Sequence, residues 1–361
     1  MGTNSKSATI KDIAKKANTS HATVSRVFNN SGYPVSKEAR QRVLNAAKEL
    51  NYTPNLIGRY LKNKKTTDIG VMVPNISNPY FSCFVQCIEE IMGNNGYNVL
   101  LSSSYRNSEK EEQILENFVM KQVSGIIIFP ISKSYKVLNL IKKRDIKVVS
   151  IDQDLGSFPC SKVLLDCIKI GLMATEYLIK LGHERIAFIS SPLDRTSRKD
   201  IFEGYNQALQ NYNIPYDDKL VQISEQEKEY PNEVYEFNNG YNLMKIILDN
   251  KNMPTGVFAC NDLTAMGVME AIKEAGLRIP EDISVIGCDN IFMSSIINPK
   301  LTTINVPLLE MSRLAGNILL DKLNNKNDSD TNNDNSNNTN VVLQPSLIIR
   351  ESCTKINKGK R

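Results

Sequence analysis

The apolar positions of this chain change their period along its length. In the first fifty residues they recur at helical spacing in three short segments. Ile10, Ile13, Ala14 and Ala17 lie on one face of a helix predicted over residues 10–17, Val24 and Val27 on one face of a second, and Ala39, Val43, Ala47 and Leu50 along a third. Thr9, with Asp12 three positions later, forms a relative of the capping box that opens the first helix, and Ser20 and Ser36 are the predicted caps of the other two. Asn18-Thr19 makes the corner between the first two, where Asn tolerates left-handed backbone. The second helix buries Val24 and Val27 and presents His21, Ala22, Ser25 and Arg26 elsewhere, a division expected of a helix laid in a DNA major groove. Pro54 then breaks the pattern, and residues 55–62 have room for about two more turns, weakened by Gly58.

From Asp68 onward, short apolar runs alternate with helical segments. One series covers residues 69–73, 98–101, 126–129 and 148–151, and a second covers 163–165, 186–190, 256–259 and 284–286. Such alternation predicts an α/β body of two lobes, each a doubly wound parallel sheet with helices on both faces. Ligands of such proteins bind at the carboxyl ends of the strands. Residues 324–340 interrupt the pattern with nine Asn in seventeen positions and no apolar period, which reads as an exposed loop.

Charge sharpens this division. The net charge of the 361-residue chain is only +5, but residues 1–65 hold 13 Lys or Arg against Asp12, Glu38 and Glu49, so the head is +10 and the rest −5. That asymmetry points to a polyanionic partner for the head. Seven scattered cysteines without a Cys-x-x-Cys fit a reducing compartment, and only His21 and His183 exist, so neither a metal site nor a cofactor is expected. No apolar run resembles a signal peptide or approaches the roughly 18 residues of a membrane span, which leads to a cytoplasmic expectation with no membrane partner. The sequence lacks Gly-x-Gly-x-x-Gly, P-loop, Gly-x-Ser-x-Gly and His-Glu-x-x-His motifs, so an enzyme is not expected.

Several stretches resemble the lactose repressor (LacI/GalR) family of transcription regulators. In the head they are Thr-Ile-Lys-Asp-Ile-Ala (9–14), Ala-Thr-Val-Ser-Arg-Val (22–27), Asn-Tyr-Thr-Pro-Asn (51–55) and Lys-Lys-Thr-Thr-Asp-Ile-Gly-Val (64–71). In the body, Val-Pro-Asn-Ile-Ser-Asn-Pro-Tyr-Phe (73–81), residues 181–189, 260–267, 284–290, 299–304 and 347–352 match as well. The resemblance implies a helix-turn-helix head over residues 1–66, ending in a hinge helix at 54–63. It also implies a two-lobed, periplasmic-binding-protein-like body over 67–361. Lobe 1 would comprise 67–162 and 292–323, lobe 2 would comprise 163–291 and 341–353, and the Asn-rich loop would be 324–340.

The family's DNA-contacting positions map onto Ser20, His21, Ala22, Arg26, Asn55 and Leu61. Arg26 can pair with guanine, Ala22 can pack on a thymine methyl, and Leu61 would wedge into a minor-groove step. Its effector positions map onto Asn78, Tyr80, Phe81, Asp152, Asn261 and Asp289, aromatic faces against a sugar ring and polar groups for its hydroxyls. Two departures stand out: Ile201 occupies the place of the arginine that usually precedes Gly204, with Arg198 about one turn earlier, and Asp166-Cys167 replaces the family's Asp-Asn.

The resemblance therefore implies a homodimeric repressor of sugar-utilisation genes that binds a palindromic double-stranded DNA operator and answers to a sugar-like effector. The alternative is a catabolite-control regulator governed by a phosphocarrier protein, although Leu309, Glu310 and Asn317 stand where such members carry a Tyr-Asp pair and an Arg. An extracytoplasmic sugar-binding protein would share the body but not the head.

Overall fold

The computed structural model describes residues 8–29, 33–52, 66–132, 135–227, 234–250, 253–324 and 338–356, and divides into two compact units, residues 1–65 and 66–361. In the first unit three helices follow the apolar periods: α1 (Ile10–Lys16), α2 (His21–Asn29) and α3 (Lys37–Glu49). They enclose a small core in which Ile13, Val24 and Val43 are fully buried among Ala14, Ala17, Val27, Ala46 and Ala47. Small side chains let three short helices approach closely enough to exclude water. Around this core Arg42 Nε donates to the carbonyl of Ala17 at 3.3 Å and Lys16 pairs with Glu49 at 2.7 Å. Arg42 thus ties α3 to the end of α1.

The second unit holds two six-stranded sheets. The first has the order β11-β5-β4-β3-β1-β2, where β1 is Asp68–Val73, β2 Asn98–Ser103, β3 Gly125–Ile128, β4 Lys147–Ile151, β5 Ser161–Leu165 and β11 Asn340–Leu343. All its pairings are parallel. The second has the order β12-β10-β9-β8-β6-β7, with β6 Ile186–Ser190, β7 Val221–Ile223, β8 Gly256–Ala259, β9 Ser284–Asp289, β10 Thr302–Asn305 and β12 Ser346–Ile348. Only its β10–β12 edge pairing is antiparallel. Central strands such as β1, β3, β6 and β8 are buried almost end to end, as helices on both faces require.

This topology corrects the lobe boundaries expected from sequence. Residues 163–165 belong to the first sheet, where Val163 pairs with Val341 on one side and Ile151 on the other. Residues 302–305 stay in the second sheet beside β9, and residues 340–343 return to the first. The chain therefore crosses between lobes at residue 166, at 306–307 and at 344–345. A short apolar run announces a buried strand but not which sheet edge it joins, because that choice is made by partners far away in sequence. Asn340, expected in the loop, opens β11, while residues 325–337 of that loop lie outside the described residues.

Helix α7 (Cys167–Lys180) opens the second lobe and crosses α8 (Thr196–Asn211) at a glycine pair. A Cβ on Gly171 would stand 2.0 Å from the Ile201 carbonyl oxygen, and one on Gly204 equally close to that of Ile168. Neither can be enlarged without parting the helices.

Candidate functional site

In the head, the exposed face of α2 is built from its cap outward. Ser20 Oγ accepts from the Thr23 backbone N–H at 3.1 Å and lies 2.9 Å from Thr23 Oγ1, which fixes the helix start. Asn18 takes the left-handed conformation at φ 47, and the Thr9–Asp12 capping box is complete, with both reciprocal bonds made. His21, Ala22 and Arg26 are all exposed, and the Arg26 guanidinium sits 5.1 Å over the Tyr33 ring, which restrains it without burying it. Asn55 and Leu61 lie outside the described residues.

In the body, all six residues expected at an effector site line one cleft between the lobes: Asn78, Tyr80, Phe81, Asp152, Asn261 and Asp289. They arrive from the carboxyl ends of strands. Asp152 follows β4 and Asp289 ends β9, with φ of 66 and 118, and Asn290 beyond it has φ 58. Backbone this unusual for non-glycine residues persists only where the surrounding packing dictates it. Asn78 caps α4 (Pro79–Asn94), its Oδ1 accepting from Tyr80 N at 3.0 Å while its Nδ2 donates to Glu236 at 2.9 Å. Asn261 likewise caps α10 (Asp262–Glu274) through Thr264 N at 2.8 Å. Both amides therefore order the helix starts that face the cleft.

An aromatic wall completes one side. Tyr80 and Phe81 meet edge-to-face with centroids 5.2 Å apart, and Phe129 stands edge-on to Phe81 at 5.2 Å and to Phe84 at 4.8 Å. The Tyr80 hydroxyl reaches Met311 Sδ at 3.7 Å. Burial, with Asp152 and Asp289 nearby, raises the Tyr80 phenol well above its ordinary range, so it enters the cleft as a neutral group.

The structure adds polar and charged groups to the cleft, of which the sequence had singled out only Arg198. Arg106, Gln153, Arg195, Arg198 and Glu236 also line the cleft. Arg106 reaches from the first lobe to two carboxylates of the second, Glu227 Oε1 at 3.1 Å and Glu236 Oε1, while Arg195 Nη2 donates to Glu227 at 2.5 Å. Gln153 bridges as well, donating to the Pro130 carbonyl at 2.6 Å and accepting from Thr196 N at 3.2 Å. Arg198, noted in the sequence as one turn displaced, does line the cleft and donates to the Cys260 carbonyl at 3.0 Å. Burial works to raise the Glu227 carboxyl, but the guanidiniums of Arg106, Arg195 and Arg198 overcome it and hold it down to about 2. The opposite holds for Asp289, which burial and the neighbouring Asp262 raise well above the carboxylate range despite Arg198. Asp262, at the start of α10, is pushed up to about 6 by burial and accepts from Ser294, Thr303 and the Ile291 N–H. One signal for Arg106 was available, since it lies three residues past the end of β2, where cleft residues of such folds gather. Glu236 had none, because its partner is 130 positions away.

A three-helix head with an exposed, capped second helix, followed by a two-lobed body with an interlobe cleft, defines a DNA-binding regulator carrying a small-molecule sensor. Comparison with known proteins agrees. Residues 9–55 match the model of bacterial regulatory proteins of the lacI family, and residues 175–353 match a periplasmic binding protein-like domain. The HTH-type transcriptional repressor PurR of Histophilus somni is 34% identical over 346 residues, covering 96% of this chain and 98% of the relative. The ribose operon repressor of Haemophilus influenzae is 31% identical over 345 residues, again 96% and 98%. Among solved structures, the Lac repressor dimer bound to operator and an anti-inducer aligns with a TM-score of 0.79 at 26% identity, covering 97% of this chain and all of that one. The chain belongs to the lacI family of bacterial regulatory proteins and is a DNA-binding transcription regulator. Among the described residues no helix is long and apolar enough to cross a membrane.

Proposed function

We propose that this protein is a cytoplasmic, homodimeric repressor that reads a palindromic operator with α2 and is switched by a small sugar-like molecule held in the interlobe cleft. The observation that carries the effector reading is the convergence of the six expected residues with an aromatic wall on one face and paired polar groups on the other. Aromatic faces suit the apolar face of a sugar ring, and the fixed carboxylates and amides suit its hydroxyls. The ribose operon repressor among the relatives supports a pentose-sized ligand. His21, Ala22 and Arg26 contact base edges, Ser20 and Asn55 position the backbone, and Leu61 wedges into the minor groove, as the sequence resemblance implies.

Effector binding acts on DNA affinity only if it distinguishes two lobe arrangements, and contacts from both lobes meet that requirement. The test is operator binding by fluorescence anisotropy on the full chain, with and without pentoses and hexoses. A sugar that lowers operator affinity supports the proposal, and no change with any small molecule overturns the switching part. The phosphocarrier-governed alternative gains nothing from Leu309, Glu310 and Asn317.

A further inference from the structure

We infer that the cleft takes an uncharged polyhydroxylated ligand and rejects the phosphate ester of the same sugar, because its charges already balance from within and two of its arginines are held in buried ion pairs. The inference rests on the cleft being the effector site.

Three guanidiniums at one cleft would ordinarily mark an anion site. Here two of them are held in ion pairs. Arg106 spreads its two terminal nitrogens over Glu227 and Glu236, Arg195 shares Glu227, and Arg198 donates to the Cys260 carbonyl with Glu227 in electrostatic reach. The pairs are nearly dry, with side chains of Arg106, Glu236, Glu227 and Arg195 exposed by 2%, 1%, 6% and 7%. Counted by formal charge among the described residues, Arg106, Arg195 and Arg198 face Asp152, Glu227 and Glu236, three against three, which leaves no excess of positive charge for a ligand.

The backbone holds this arrangement in place. Tyr105 and Arg106 both have left-handed φ, 51 and 56, so the loop after β2 is bent to send the Arg106 side chain across the cleft. Glu236 sits in the first turn of α9 (Tyr235–Leu248), where the helix N-terminus favours a carboxylate, and Asn78 adds a hydrogen bond from the first lobe.

An entering phosphate would meet Asp152 and Glu236 with no net positive charge among the described cleft residues, or would have to strip Arg106 from its carboxylates and leave them buried and uncompensated. Either outcome is unfavourable in a low-dielectric cleft. A hydroxyl needs neither, since it donates to a carboxylate oxygen or accepts from a guanidinium N–H while the ion pairs stay in place.

The experiment compares D-ribose with D-ribose 5-phosphate, and D-glucose with D-glucose 6-phosphate, on the full chain by thermal shift and titration calorimetry. The expected result is that a free sugar binds and its ester binds roughly a hundredfold more weakly. Glu236→Gln keeps the shape of the side chain but uncovers part of the Arg106 charge, so the same preference should shrink to roughly tenfold. An ester that binds as tightly as its free sugar overturns the inference while leaving the cleft as the effector site. A preference that Glu236→Gln does not change overturns the internal neutralisation as its cause. Binding of neither form sinks the effector reading and this inference with it.

Discussion

The head and the body place their proposed functional residues in opposite environments. In the head, the working face of α2 is exposed and the buried side of the same helix supplies Val24 and Val27 to the core, so one short segment carries both jobs. In the body, the proposed effector-site groups lie between two lobes and come from separate loops and helix starts. A site on one helix can be no more strained than that helix. A site assembled from distant parts can hold charges in pairs that neither part would bury alone.

The largest effect that would test this contrast is loss of a body charge. Arg106→Ala should leave Glu227 and Glu236 buried without their shared guanidinium and destabilise the body by about 4 kcal/mol, read as the midpoint of its denaturant unfolding. An effect confined to ligand affinity, with stability unchanged, would mean that the pairs are not dry. In the head, Ile13→Ala empties the centre of the mini-core and should cost about 3 kcal/mol, measured by circular dichroism as early loss of head helix and by lost operator binding. The body transition should not move.

A smaller effect follows from pH. His183 is buried against Thr255 Oγ1 and the Thr354 carbonyl, and burial lowers its pKa from 6.5 to about 4. Because the folded value is depressed, the neutral imidazole's contribution is fully present above pH 6.5 and is lost as pH falls from 6.5 towards 4. Allowing for partial solvent screening, that loss is about 2 kcal/mol. Stability profiles of the wild type and His183→Gln should differ in slope over that window, and parallel profiles would contradict the assignment. Smallest is the cap. Ser20→Ala removes the acceptor for Thr23 N and should cost about 1 kcal/mol of head stability, weakening operator binding without altering the bases preferred. A changed base preference would show that Ser20 reads sequence directly.

The sequence alone determined the class of the molecule. Caps at Thr9, Ser20 and Ser36, the left-handed Asn18 and the faces of three short helices are local properties, written within four residues of where they act. The six cleft residues were legible through the family resemblance, which mapped its effector positions onto them, and the fold brings them to one cleft. What the sequence left open is pairing. Residues 163–165 read as a buried strand of the second series and the resemblance places 341–353 in lobe 2, and only the register of β5 with β4 and β11 assigns 163–165 and 340–343 to the first sheet. Tertiary structure alone decided that Arg106 meets Glu236 across 130 positions and that Arg198 reaches the cleft from one turn away. The physical reason is the range of the forces involved. Capping and periodicity act within a turn of helix or a pleat of strand, whereas desolvated charges find partners by proximity in space, which no local pattern records.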